Sequence, residues 1–332
     1  MAVRVAVDAV GGDHAPGVVV EGAVQALRDS DGDLHVVLVG PEETIRAALA
    51  EHDADDLPLD VLDAPEVIGM AESPATAVKT KTRSSIHVGL GAHKQGAVDA
   101  FASAGNTGAV MAASLFILGR LPGVARPALP GYFPTTKSYS IVIDVGANVD
   151  SKPEHLAQFA QMGQVYAEGV MQRENATVGL LNVGEERGKG NEAAKAAHEL
   201  IAALDGVNFV GNMEGRDIMH HAADVIVCDG FVGNIVLKLG ESLTTVLPQL
   251  IGAEIKRQGL SAEETDLIKR VFGNVTKPFN YEEYGGVPLL GVDGAVLIGH
   301  GGSSARAIAE MIRRAAAGAR HDVRGAIAAA LA

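Results

Sequence analysis

Residues 103–118 read SAGNTGAVMAASLFIL and join a strand-like run (residues 97–103) to a helix-like run (residues 109–118). Gly105, Asn106, Thr107 and Gly108 stand at the junction. Small residues there let the backbone approach a ligand closely, and the first N–H groups of a helix lack intrahelical acceptors. Asn106 and Thr107 add side-chain donors at the cap. The stretch reads as a cradle for phosphate or carboxylate, with a plain helix cap as the alternative. It is also a strand that turns through glycine into a helix, and that unit recurs along the chain.

Strand-like residues 3–7 precede helix-like residues 18–27, and residues 36–39 precede residues 42–50. The pattern returns at 141–144 with 154–171, at 178–181 with 192–204, and at 225–227 with 234–250. Alternation of this kind predicts a three-layer α/β/α fold with a largely parallel central sheet. Ligands of such sheets bind beyond the C-terminal ends of the strands, so the polar loops should converge there. Prolines 122, 127, 130 and 134 break the rhythm and predict a crossover over residues 122–137. The expected organisation is one domain over residues 1–332, two lobes around a cleft, with a helical pair protruding at 241–279. Ser261 and Glu264 form a capping-box pattern between those two helices.

Composition narrows the function classes. The 332 residues are 47% hydrophobic, with 40 glycines and no tryptophan, so a substantial core is expected. The single cysteine, Cys228, excludes an internal disulfide framework and reads as a buried core residue in DVIVCDG. A net charge of −14 argues against nucleic-acid binding. No signal peptide or long apolar run is evident, which predicts a cytoplasmic protein.

Several other loops carry chemistry. In DAVGGDHAP, Asp8, Asp13 and His14 flank a glycine pair that includes Gly12. They suit ligand orientation or proton transfer, or a capping Asp13 beside a surface His14. In DVGANVDSKPEH, Asn148 can donate to a carbonyl or phosphate oxygen. Asp144, Asp150 and Glu154 match no metal motif and are explained by capping. Lys189 lies between two glycines in NVGEERGKGNE and is the candidate cation for phosphate. In VCDGFVGNIVLK, Asp229 ends a strand, Gly230 and Gly233 loosen the turn, and Asn234 and Lys238 share a helical face. HGGSS offers His300, Ser303 and backbone N–H groups at the start of the last long helix.

Together these segments resemble the PlsX family of phosphate acyltransferases. The matching pieces are DAVGGDHAP, KTRSSI, SAGNTGAVMAA, DVGANVDSKPEHLAQFAQMG, GLLNVGEERGKGNE, FVGNMEGRDI, ADVIVCDGFVGNIVLK, YGGVPLLG and HGGSS, in that order. The resemblance implies that acyl-[acyl carrier protein] and inorganic phosphate give acyl phosphate and free carrier, feeding glycerophospholipid synthesis. It also implies a homodimer, no metal or organic cofactor, and a fold similar to isocitrate/isopropylmalate dehydrogenases and phosphate acetyltransferases. Val10 stands where the family pattern has methionine, and Gly302 adds a glycine to the last loop.

Phosphate is itself the nucleophile in such a reaction. The protein must hold a dianion, stabilise the thioester oxyanion and assist the departing thiolate. The expected catalytic residues are Asp229, Lys189, Asn234 and Lys238. The expected phosphate- and substrate-binding residues are Asp8, Gly12, Asp13, His14, Ser103, Gly105, Asn106, Thr107, Gly108, Asn148, Gly233, His300 and Ser303. Lys256, Arg257, Lys269 and Arg270 lie beside apolar residues of 241–279. They are the expected docking edge for an acidic carrier protein or an anionic membrane at the inner face of the cell membrane. The alternatives are acyl-coenzyme A as donor and a non-catalytic carrier-binding scaffold.

Overall fold

The computed structural model describes residues 2–279 and 281–332. Among these residues the strands form two mostly parallel sheets. The six-stranded sheet has the order β10 (Val287–Pro288), β11 (Val296–Ile298), β4 (Ala100–Ser103), β1 (Val3–Asp8), β2 (Leu34–Gly40), β3 (Leu59–Asp63). The five-stranded sheet has the order β5 (Pro130–Pro134), β6 (Tyr139–Ile143), β9 (Val225–Val227), β7 (Thr177–Asn182), β8 (Asn208–Glu214). Only β10 and β5 run antiparallel to their neighbours among the described strands.

Inner strands such as β1 and β9 are near-continuous apolar runs because both faces are covered. Val5, Ala6 and Val7 of β1 are fully buried, as are Val225, Ile226 and Val227 of β9. Helices α1 (Gly17–Arg28) and α10 (Ala305–Arg320) cover one face of the first sheet, together with α2 (Glu42–Leu49). Helices α3 (Pro74–Thr80), α4 (Ser85–Lys94) and α5 (Thr107–Ile117) pack on its other face. Helices α6 (Pro153–Gly169), α7 (Glu192–Ala202) and α11 (Val323–Ala330) pack with the second sheet. One apolar cluster joins the two sheets: Ala6, Phe101 and Val110 belong to it with Phe133, Val142 and Ile226.

The largely parallel α/β architecture is therefore present, with its strands divided between two sheets. The proline-rich segment is more than a crossover. It contains β5, paired antiparallel to β6 with Phe133 opposite Ser140. Pro130 and Pro134 lie at the ends of this edge strand, where a missing N–H is tolerated.

Helix α8 (Gly230–Gln258) extends beyond the expected 234–250 and carries Pro248 inside it. It ends at Gly259, whose left-handed φ of 64° suits glycine. The predicted capping box is formed: Ser261 N–H donates to Glu264 Oε2 at 2.9 Å, and Glu264 N–H to Ser261 Oγ at 3.3 Å. It opens α9 (Ala262–Thr276), which has no buried residue among those described. In α8 the buried residues are Gly230, Gly233 and Gly240, all in its first half. No helix among the described residues is long and apolar enough to cross a membrane.

Candidate active site

Parallel register sets the strand ends side by side. Asp8 pairs with Val39, Val7 with Ala102, and Ile298 with Ser103. Asp8 and Ser103 therefore finish adjacent strands. Ser103 Oγ donates to Asp8 Oδ2 at 2.7 Å and accepts from Gly105 N–H at 3.0 Å. Ser85, at the start of α4, also bonds to Asp8. Burial pushes the Asp8 carboxyl above its ordinary value, against the lowering effect of those hydrogen bonds. Asp8 and Ser103 thus lie beneath the glycine turn and shape it from below. In the sequence the only signal for Ser85 is its place in KTRSSI.

Asn106 departs from its expected role as a phosphate ligand. Its Oδ1 caps α5 by accepting from Ala109 N–H at 3.1 Å. Its amide donates to the carbonyls of Gly69, Met70 and Glu72 at 3.2, 3.1 and 3.0 Å. The side chain is consumed in tying residues 69–72 to the helix. Thr107 and Gly108 follow at the head of α5, where N–H groups have no intrahelical acceptor. Thr107 is exposed.

The first and last loops form one unit. Asp13 N–H donates to the Gly301 carbonyl at 2.8 Å. Gly12 has φ +115°, and a side chain there would meet that same carbonyl at 3.1 Å. His14 and Ser303 line a small crevice with Gly11 and Gly12. Ser303 Oγ is buried without a protein partner among the described residues. His300 Nδ1 accepts from Gly302 N–H at 3.1 Å.

On the second sheet, Asp144 and α8 form another unit. Asp144 Oδ1 accepts from Leu129 and Ala147 N–H, both at 3.1 Å, and its Oδ2 from Asn148 N–H at 2.6 Å. Asn148 Nδ2 donates to Asp144 Oδ2 at 3.0 Å and to the Pro127 carbonyl at 2.8 Å, so it holds this loop instead of reaching a ligand. Burial raises the Asp144 carboxyl despite these donors.

The α8 glycines do not loosen the turn as expected; they permit contact. A methyl at Gly233 would overlap the Asp144 carbonyl, and one at Gly230 would lie 2.7 Å from the Asn148 carbonyl. Asp229 caps α8, accepting from Val232 N–H at 2.8 Å. Asn234 Nδ2 donates to the Val145 carbonyl at 3.2 Å. Cys228 is buried, with its thiol pushed far up by burial, which fits a core residue.

Both units meet at a cavity of about 240 Å³. Thr107, Lys238, Glu241 and His300 supply its polar groups, while Leu129, Phe133, Val145, Leu237 and Phe279 line its apolar part. Lys238 Nζ pairs with Glu241 Oε2 at 2.8 Å. An exposed pair of this kind is weak, so the ammonium can turn to an incoming anion. Of the four expected catalytic residues, Lys238 reaches the cavity. Lys189 does not line it: the ammonium lies on the exposed loop after β7, 4.0 Å from Glu186. The docking residues Lys256, Arg257, Lys269 and Arg270 are all exposed, and Arg257 pairs with Glu254 at 2.5 Å.

Known proteins resemble this chain over nearly its whole length. A family model described as fatty acid synthesis protein matches residues 3–325. A phosphate acyltransferase of Salinibacter ruber is 56% identical, covering 98% of this chain and 96% of the relative. One of Chlorobaculum parvum is 48% identical, covering 93% of each. Among solved structures, a phosphotransacetylase of Streptococcus pyogenes aligns with TM-score 0.62 at 18% identity, covering 96% of this chain and 94% of the other. The EutD phosphotransacetylase of Staphylococcus aureus aligns with TM-score 0.60 at 15% identity, with the same coverages. These structures share the fold. From the family match and the near full-length identity, the chain belongs to the phosphate acyltransferase family and is an acyl-transferring enzyme.

Proposed function

We propose that the protein forms acyl phosphate from long-chain acyl-[acyl carrier protein] and inorganic phosphate, and so feeds glycerophospholipid synthesis. The carrying observation is that Thr107 at the head of a helix, Lys238 and His300 line one cavity whose remaining wall is largely apolar. Such a helix start favours an anion through its free N–H groups and its dipole. Phosphate held there attacks the thioester carbonyl carbon. A carbon–oxygen bond forms, the carbon–sulfur bond breaks, and the phosphate proton ends on the departing thiolate. The Lys238 ammonium stabilises the charge that grows on the carbonyl oxygen. Asp229, Asn234 and Asn148 act as positioning residues that hold α8 and its lysine, and Asp8 with Ser103 positions the α5 turn.

A homodimer and a cytoplasmic site of action belong to the same reading, as does docking of the carrier or an anionic membrane on α8 and α9. Leu250, Leu267, Val271 and Val275 are exposed there beside Lys256, Lys269 and Arg270, which supports an interaction surface with a basic edge. The carrier is acidic and this chain has net charge −14, so productive encounter needs such a local patch. The deciding experiment supplies purified protein with long-chain acyl carrier protein, with or without phosphate, and in parallel with acyl-coenzyme A. Phosphate-dependent release of carrier thiol with formation of acyl phosphate supports the proposal. Preference for acyl-coenzyme A replaces the donor, and thiol release from neither leaves a carrier-binding scaffold.

A further inference from the structure

The cavity has two chemically different parts. Its polar groups, Thr107, Lys238, Glu241 and His300, come from the head of α5, from α8 and from the loop after β11. Its other walls come from β5, α8, Leu129, Val145 and Phe279. Tyr132 contributes its ring, because its hydroxyl is engaged by Tyr166 at 2.5 Å and by Arg314 at 3.0 Å. A polar occupant of this wall would lose its hydrogen bonds to water without replacement. The fitting occupant is a hydrocarbon chain ending in a group that reaches Thr107 and Lys238.

We propose that this cavity seats the acyl chain of the donor, and that Phe133 and Leu237 set the length it accepts. The inference rests on the acyl phosphate reading above. An apolar cavity of ~150 Å³ holds a six-carbon ring, so 240 Å³, part of it given to the polar end, accommodates at most about ten carbons. The remaining carbons of a longer chain occupy the open mouth. Phe133 is held in the wall by the absence of a side chain on α8: a methyl at Gly240 would lie 2.6 Å from its Cζ. Leu237 stands one helical turn before Gly240, and its Cδ1 is 3.5 Å from where a side chain on Gly131 would begin. Ring and leucine therefore bound the space between β5 and α8. The carrier's polar arm has a separate route, since a second crevice opens beside Glu241 and His300 and is lined by Thr244, Thr245 and Thr276.

The test uses two substitutions of opposite sign. Leu237→Phe fills the cavity and Phe133→Leu deepens it. Acyl phosphate formation is measured with short, medium and long acyl carriers, and affinity for a fluorescent long-chain fatty acid is measured without phosphate. Each CH₂ left outside costs about fourfold in affinity. Leu237→Phe should thus lower kcat/KM for long relative to short chains by roughly fifteenfold if two carbons are displaced. It should weaken the fatty acid by a similar factor. Phe133→Leu should move the optimum to longer chains. A fold defect lowers every chain length together and cannot move two optima in opposite directions. Identical profiles in the two variants and the parent overturn the cavity assignment. Fatty acid binding that responds to the substitutions in a protein without acyl phosphate activity overturns the reaction and leaves the cavity.

Discussion

Replacing Ser103 by alanine removes one oxygen that joins two structural units. Ser103 is fully buried, and its Oγ links the Asp8 carboxyl to the Gly105 N–H. The substitution leaves that buried N–H without an acceptor, which costs ~1–3 kcal/mol, and deletes a hydrogen bond to a carboxyl, worth ~1.5–3 kcal/mol when charged. Asp8 keeps its bonds to Ser85 and Val10, so the expected loss is about 3 kcal/mol, not the full sum. Unfolding entropy for a chain of this length is about 0.7 kcal/mol/K, so Tm should fall by about 4 °C. The freed turn carries Thr107, and misplacement by ~1 Å can cost 10²-fold in rate. Expected, then, is a tenfold to hundredfold loss in kcat/KM for phosphate at a temperature where the variant is folded, an order of magnitude drawn from that sensitivity. Ser114→Ala is the control: Ser114 lies on the same helix, and its buried Oγ has no partner among the described residues. A Tm unchanged within about 1 °C would show that the Asp8–Ser103–Gly105 link contributes nothing. A lowered Tm with unchanged phosphate kinetics would refute the positioning role.

Lys238→Met keeps the side-chain stem and removes the charge; kcat should fall about 10²-fold, while Lys189→Ala should change phosphate KM much less, and steady-state kinetics with the order reversed would return the role to Lys189. Asp229→Asn preserves a good helix cap, so kcat should stay within a few-fold; a loss of about 10²–10⁴ would instead identify a general base. Asp144 binds its proton more tightly folded than unfolded, so it lowers stability as pH rises from 3.8 through its raised folded value. Measured across that window, the stability deficit of Asp144→Asn should shrink as pH increases, and a constant deficit would show that Asp144 does not titrate with folding. Exchanging Lys269 and Arg270 for glutamate should raise KM for the acyl carrier about tenfold at low salt, with the difference vanishing at high salt. A defect independent of salt would exclude electrostatic docking on α9.

Much of the fold is local and was legible as such. Apolar runs such as residues 3–7 and 225–227 are short, lead into glycine-containing turns and are followed by amphipathic stretches, and these features alone predict buried parallel strands. Ser261 and Glu264 specify their cap through neighbours three residues apart, so the bend between α8 and α9 needed no tertiary information. The order of the polar loops likewise identified the family. What the sequence could not decide was the direction in which polar side chains act. Asn106 and Asn148 look like ligand donors in a one-dimensional reading, but carbonyls 34–37 and 21 residues away along the chain consume their amides. Gly233 reads as a loosener of a turn until the Asp144 carbonyl is placed against it. The meeting of Thr107, Lys238 and His300 depends on how the two sheets pack, through one long-range cluster that holds Phe101 and Val110 together with Val142 and Ile226. A buried strand has the same apolar sequence whichever sheet it joins, so only the folded chain determines which loop ends face one another.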